Sequence, residues 1–279
     1  MKTLNIPDIC DHIAVQAPYF AFERLEGQRQ TISGDFVSEQ NIGYERGGLS
    51  YAEIGRHLAI LGSCAAVVDK TEGKNYYLAS KATLRIFRSP NNERKFQASA
   101  EVITQSKRVL VISATASDGQ PFAHLNCEYQ ILSEAVFAKA FSGYKTARMP
   151  LSQISPYSKP IELDFYDPDG WTLTAKSKPL LPDCFPGHFS EFPTWPVAII
   201  AGAVGQVTTR LLHHMLNKKA SYNIAHIDLI ALKLTSSVEP LFFDVESTSA
   251  SAALSRYTFS AKIRTKDLLV ATIEIELYT

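Results

Sequence analysis

Cysteine is scarce and scattered in this sequence. The 279 residues hold four, Cys10, Cys64, Cys127 and Cys184, and no two form a Cys-x-x-Cys pair. That spacing argues against a zinc or disulfide framework and predicts buried thiols in a reduced, cytoplasmic protein. The opening residues have no basic stretch followed by an apolar core, so no secretory signal is expected. No apolar run is long and unbroken enough for a membrane span. A basic excess is missing too, since Lys plus Arg and Asp plus Glu both stand at 28. Phosphate backbones call for clustered positive charge, so nucleic-acid binding is not expected. The short runs Lys107-Arg108 and Lys218-Lys219 read as solvated surface. The chain has no Gly-x-Ser-x-Gly elbow, no P-loop and no Gly-x-Gly-x-x-Gly fingerprint. Glu53 and His57 have the i,i+4 spacing of a metal pair, but no third ligand is evident, so neither a metal nor a cofactor is expected. His213 and His214 fall late in an apolar segment, where a cation complements a helix dipole.

What is present is enough apolar material for a sizeable core, 46% of residues, spread over a length that suits one large domain or two of equal size. The stretch 49–68 carries Leu49, Ala52, Leu58, Ile60, Leu61 and Ala65 on a broad apolar surface and is expected to be a helix. Segments 75–87, 94–106, 108–117 and 121–132 are rich in β-branched and aromatic residues and read as strands. After a proline-bearing stretch the same order returns. A hairpin is expected around Asp169-Gly170, a second apolar helix over 196–216 with Pro196 in its first turn, and four closing strands from 225 to 279. The halves divide into expected domains 1–150 and 151–279. A long helix with almost no polar stripe must be covered on most sides, and an antiparallel sheet curled around it does this. The expected class is α+β, with two such units fused as a pseudo-dimer.

Between the hairpin and the second helix lies CFPGHFSEFPTWPVAIIAGAVGQ, residues 184–206. His188-Phe189, Pro193, Pro196 and Gln206 resemble the motif of the hot-dog fold β-hydroxyacyl-ACP dehydratases of fatty-acid and polyketide synthesis. The resemblance implies a double hot-dog fold, two antiparallel sheets each wrapping a central helix. Two positions depart from it. Val197 stands in the place of a glycine, and Gly202, 14 residues after His188, stands in the place of the acid. Superposing GGLSYAE on PVAIIAG sets Gly47 opposite Pro196, Gly48 opposite Val197 and Glu53 opposite Gly202, and 14 residues before Glu53 lies Glu39 instead of a histidine. The first half then has the acid and the second the histidine, so the resemblance implies one composite site.

In that site the expected catalytic pair is His188 as base and Glu53 as a protonated acid, kept neutral by its apolar helix. Backbone N–H groups at Gly47 and Gly48 are the expected oxyanion donors. Phe185, Phe189, Phe192 and Trp195 are candidates to line an acyl groove. The implied activity is a lyase reaction, dehydration of a 3-hydroxyacyl thioester to the trans-2-enoyl thioester. The implied partner is acyl carrier protein bearing a phosphopantetheine-linked chain, or acyl-CoA, with the chain a monomeric pseudo-dimer or a homodimer. An acyl-thioester hydrolase is the alternative, because double hot-dog folds resemble thioesterases equally well. A third reading is a non-catalytic partner subunit that binds acyl groups.

Overall fold

The computed structural model describes residues 1–40, 42–70, 73–92, 94–147, 155–181 and 184–279. The first half contributes strands β1 (Lys2–Thr3), β2 (Phe22–Gln28), β3 (Thr31–Val37), β4 (Asn75–Ile86), β5 (Lys95–Gln105), β6 (Val109–Ser117) and β7 (Pro121–Ser133). The second contributes β8 (Leu163–Phe165), β9 (Thr172–Ser177), β10 (Asn223–Ala231), β11 (Phe242–Ser251), β12 (Arg256–Arg264) and β13 (Leu269–Tyr278). All join one antiparallel sheet in the order β1-β2-β3-β5-β6-β7-β4-β10-β13-β12-β11-β9-β8. Read outward from its middle, the order β4-β7-β6-β5-β3 on one side repeats as β10-β13-β12-β11-β9 on the other. The duplication that element order suggested is thus a repeat of topology. The expected boundary near 150 falls outside the described residues.

Two long helices fill the concave side. α2 (Tyr51–Ala65) follows β3, and α4 (Val197–Leu216) follows β9; of two shorter helices, α1 (Ile6–Ile13) packs against α2 and β4, and α3 (Glu134–Ala140) against β7 and β4. α2 exposes almost nothing, with Leu58, Leu61 and Cys64 at 0%. Its buried residues include the charged and polar Glu53, Arg56 and His57 beside the apolar ones. Strand alternation sets the sheet face that meets it: in β6, Leu110, Ile112, Ala114 and Ala116 point inward and the residues between them do not.

The halves meet at two places. β4 pairs with β10, with Leu84 beside Ile227 and Ala82 beside Leu229. Beneath this join α2 crosses α4, where the Tyr51 hydroxyl donates to the Ala201 carbonyl. Gly205 makes the crossing possible, because a Cβ there would lie 2.9 Å from the Tyr51 ring. Among the described residues no helix is long and apolar enough to cross a membrane. Cys10, Cys64 and Cys127 are buried, whereas Cys184, also expected inside, is half-buried. The architecture is the expected double hot-dog, with the sheets of the two units joined into one.

Candidate active site

The starts of the two long helices differ in how their free N–H groups are used. Residues Ser50 to Glu53 read Ser-x-x-Glu, and the Ser50 side chain accepts from the Glu53 N–H at 3.3 Å. The Glu45 carboxylate accepts from the Tyr51 N–H at 2.8 Å. Of the first turn of α2, the Ala52 N–H meets no acceptor among the described residues. α4 begins after Pro196 with no side-chain cap, and the Val197 and Ala198 N–H groups meet no acceptor among the described residues.

Superposing the observed caps, Ser50 on Pro196, sets Arg56 opposite Gly202 and Glu53 opposite Ile199. The expected superposition was three residues out of step. It matched glycines and overlooked the Ser-x-x-Glu cap, the one signal in the sequence that marks where α2 starts.

Two cavities open along the helix crossing. The smaller, about 190 Å³, is lined by Gly55, Arg56, His188, Trp195, Val197 and Ala198, with apolar walls from β4 and β10. The larger, about 660 Å³, is lined by Glu45, Tyr51, Gly202, Gln206, Thr209 and Tyr222 among others.

Glu53 lines neither cavity. It is 1% exposed, and its carboxylate accepts from the backbone N–H groups of Glu39 at 2.6 Å and Gln40 at 3.3 Å. It also lies 3.5 Å from His57 Nε2 and 3.9 Å from Arg56, which in turn holds Glu39. Burial pushes the Glu53 pKa up, but the His57 contact, the Arg56 charge and the Glu39 N–H outweigh it, so the net shift is downward. The expectation of a protonated acid beside His188 is corrected on both counts: Glu53 is ionised and faces the interior of its own half.

His188 lines the smaller cavity, but as a poor base. The Val15–His188 bridge and a 2.8 Å bond from the Gln16 N–H to the Gly187 carbonyl clip its loop to the first half. Its ring packs 4.9 Å from Tyr19 and 4.1 Å from Phe189. Burial takes its pKa down to about 3 against a weaker opposing bond with Thr194, and Nδ1 has no hydrogen-bond partner among the described residues. A neutral buried imidazole must charge in the unfolded chain below pH 6.5, so stability falls as pH drops from there toward 3. His188→Gln should therefore remove about 2 kcal/mol of the stability lost between pH 7 and pH 5, read from denaturant melts at the two pH values. A smaller acid effect in the wild type would rule out the buried, neutral state.

Gly187 has φ +84°, and a Cβ would sit 2.1 Å from the Gln16 carbonyl oxygen. Gly187→Ala is expected to cost about 3 kcal/mol in the same melts.

The remaining expected residues divide. Phe189 and Trp195 line the smaller cavity and Phe185 the larger. Phe192 lines neither and packs on Phe137 at 5.1 Å. Gly47, at φ +112°, backs onto Pro90, and both it and Gly48 precede the cap of α2 and line neither cavity, so the open donors are at Ala52, Val197 and Ala198 instead. Among the described residues no cluster of three or more His, Cys, Asp or Glu could hold a metal.

Glu45 is the residue that sequence reasoning missed. A parallel bridge to Tyr222 fixes it at the larger cavity, with Tyr222 N–H donating to the Tyr44 carbonyl at 2.9 Å and Arg46 N–H to the Tyr222 carbonyl at 2.8 Å. Burial pushes the Glu45 pKa up to about 8, partly opposed by the Tyr51 N–H. Nearby, Gln206 Nε2 donates to the Ile161 carbonyl at 3.1 Å, and the Thr209 and Tyr222 hydroxyls lie 2.6 Å apart.

No family model and no curated protein sequence matches the chain. Solved structures do match over nearly its whole length. A tesB protein of Mycobacterium avium subsp. paratuberculosis superposes with a TM-score of 0.63 at 13% identity, covering 91% of this chain and 95% of that one. A hot-dog fold protein of unknown function from Alicyclobacillus acidocaldarius gives 0.57 at 12% identity, covering 95% and 98%. A 12:0-ACP thioesterase from Umbellularia californica gives 0.58 at 9% identity, covering 89% and 94%. Further matches are also described as thioesterases. At these identities the likeness establishes the fold. The lyase expectation is corrected: several of these neighbours are named thioesterases, which are hydrolases, and Glu53 does not line the cavity that holds His188.

Proposed function

We propose that this protein hydrolyses acyl thioesters, carried on CoA or on acyl carrier protein, in the larger seam cavity. The observation that carries this reading is Glu45: a half-buried carboxylate at a helix N-terminus, with a pKa of about 8, facing about 660 Å³ of largely apolar space. A general base works best when its pKa lies near the working pH.

In this mechanism Glu45 takes a proton from water as the water oxygen attacks the acyl carbon. The Gln206 amide, tethered through Nε2 to Ile161, leaves its Oε1 to orient that water. The carbonyl oxygen gains charge and is met by the open N–H of Ala52 at the positive end of α2. The C–S bond then breaks, the carboxylic acid is released, and the thiolate leaves with the proton that Glu45 took. Gly202 leaves α4 without an acid at this cavity, so Glu45 supplies the carboxylate from the loop before α2. Glu53 and Arg56 serve in this reading as a structural ion cluster. The division near residue 150 is part of the same proposal, one half supplying Glu45 and Ala52, the other Gln206 and Tyr222.

The test is to incubate the protein with dodecanoyl-CoA and dodecanoyl-ACP and to follow free thiol. Thiol release lost in Glu45→Gln supports the reading, and release that persists in that variant refutes it.

A further inference from the structure

The two cavities meet at a shared wall. Tyr51, Ala52 and Ala198 line both, and two of these three are alanines. Small residues continue from there along the helix crossing. A Cβ at Gly202 would be in ordinary contact with the Ala52 side chain at 3.6 Å. On α2 the two residues that are not buried are Gly55 and Ala59, one turn apart, and both line the smaller cavity. The linings on the two sides of the wall differ. The larger cavity adds Gln40, Ser158, Lys159, Glu162 and Lys178, polar groups that suit the amides of a carrier arm. The smaller has Ile60, Leu84, Leu125, Ile227 and Leu229 for walls. Two hydroxyls that also line it are spent on the chain itself, Ser63 donating to the Ile60 carbonyl and Tyr129 to the Ala59 carbonyl, each at 2.7 Å. The Arg56 charge there is answered by Glu39. Walls of this kind suit a hydrocarbon, which leaves no polar group to be paired.

We infer that the acyl chain of the thioester runs past Ala52 and Ala198 into the smaller cavity, which selects medium and longer chains over short ones, while the larger cavity holds the carrier arm. This rests on the hydrolytic reading above, which sets the acyl carbon at the Ala52 N–H, on the shared wall. A cavity of about 150 Å³ holds benzene, so about 190 Å³ suits about six to eight carbons of chain. Longer chains have a way out. The ladder between β4 and β10 runs only from Lys81 to Arg85, and the residues beyond its end, Leu78 to Ser80 on one side and Leu232 to Leu234 on the other, also line the smaller cavity. This gap lies past the end of β10, whereas Tyr222 and the larger cavity lie at its start. A dodecanoyl chain therefore continues past Leu232, which is 56% exposed.

The test compares butanoyl-CoA with octanoyl-CoA. Each CH₂ taken from water is worth about a fourfold gain, so kcat/KM for octanoyl-CoA should exceed that for butanoyl-CoA by at least about 30-fold. A Cβ at Gly55 meets nothing within 4 Å, so Gly55→Leu fills the smaller cavity without displacing the backbone. In that variant the octanoyl-to-butanoyl ratio should fall at least about tenfold, with the loss on octanoyl-CoA. A second readout needs no turnover. Trp195 lines the smaller cavity and is 1% exposed, whereas the other tryptophan, Trp171, is 56% exposed. In a Trp171→Phe background, Trp195 fluorescence should change saturably with S-octyl-CoA, a thioether that is not hydrolysed. It should not change with S-ethyl-CoA, and Gly55→Leu should abolish the S-octyl-CoA response. A wild-type ratio near one, a ratio that Gly55→Leu leaves unaltered, or no Trp195 response to S-octyl-CoA would each overturn the inference, even where Glu45→Gln abolishes hydrolysis. Hydrolysis that persists in Glu45→Gln while Gly55→Leu still lowers the ratio would remove the role given to Glu45 and leave the acyl subsite standing. If neither thioester is hydrolysed, the Trp195 response alone decides.

Discussion

Replacing Glu45 with Gln is expected to lower kcat/KM for acyl-thioester hydrolysis by about 10²- to 10⁴-fold, the usual contribution of a positioned general base. The amide keeps the shape and can still accept the Tyr51 N–H, so the loss measures proton transfer instead of a collapsed loop. In the wild type the base must be ionised. With a pKa of about 8, only about one molecule in ten carries the carboxylate at pH 7, and kcat/KM should rise close to tenfold per pH unit up to that point, then level off. In the variant the residual rate should lose that rise. A wild-type profile flat from pH 6 to 9 would remove Glu45 from the role.

The same group makes a separate prediction for stability, with the opposite sign to an ordinary carboxylate. Between about pH 4.5 and 8 the folded chain holds a proton on Glu45 that the unfolded chain has released, so stability falls as pH rises through this window. Glu45→Gln removes that loss. It should therefore be more stable than the wild type at pH 8.5, by on the order of 3 kcal/mol, with the gain vanishing near pH 4.5. A variant that is less active and more stable is what a strained functional carboxylate predicts.

The periodicity of the sequence located the helices well, because burial on all sides leaves an unmistakable apolar run. The expected 49–68 and 196–216 became Tyr51–Ala65 and Val197–Leu216. Strands followed for the same reason, with alternation set by one covered face. The site was less legible. His188 stands out through its motif, but which residues share its cavity depends on helix register, and that is set by the Ser50 cap. Glu45 gave no local signal at all, because its position comes from pairing with Tyr222, far along the chain. The uncapped N–H groups at the start of α4 follow from Pro196, which marks a helix start but carries no side-chain acceptor to cap it.

Arg56→Met is expected to be the most destabilising of these substitutions, and its pH dependence is the sharper test. Arg56 is 2% exposed, lies between the rings of Tyr19 and Tyr157 at 5.7 and 5.2 Å, and binds Glu39 while standing 3.9 Å from Glu53. Methionine fills similar space but leaves two carboxylates without their cation. Breaking such a buried set costs about 3–5 kcal/mol, or on the order of 10 °C in Tm. Glu53, whose pKa is lowered, contributes stability that is present above pH 4.5 and lost as pH falls through its folded value. His57 is held neutral by burial and by the Arg56 charge, with Glu53 pulling the other way. Without Arg56, both Glu53 and His57 take up protons more readily, and a protonated His57 would replace the missing cation. The cost of Arg56→Met should therefore be greatest at pH 7 and shrink toward pH 4, while hydrolysis by the folded protein stays near the wild-type rate because Glu45 keeps its own contacts. Equal destabilisation at both pH values would mean that Arg56 acts through packing between the two tyrosines, and loss of hydrolysis at full stability would return the catalytic role to this cluster.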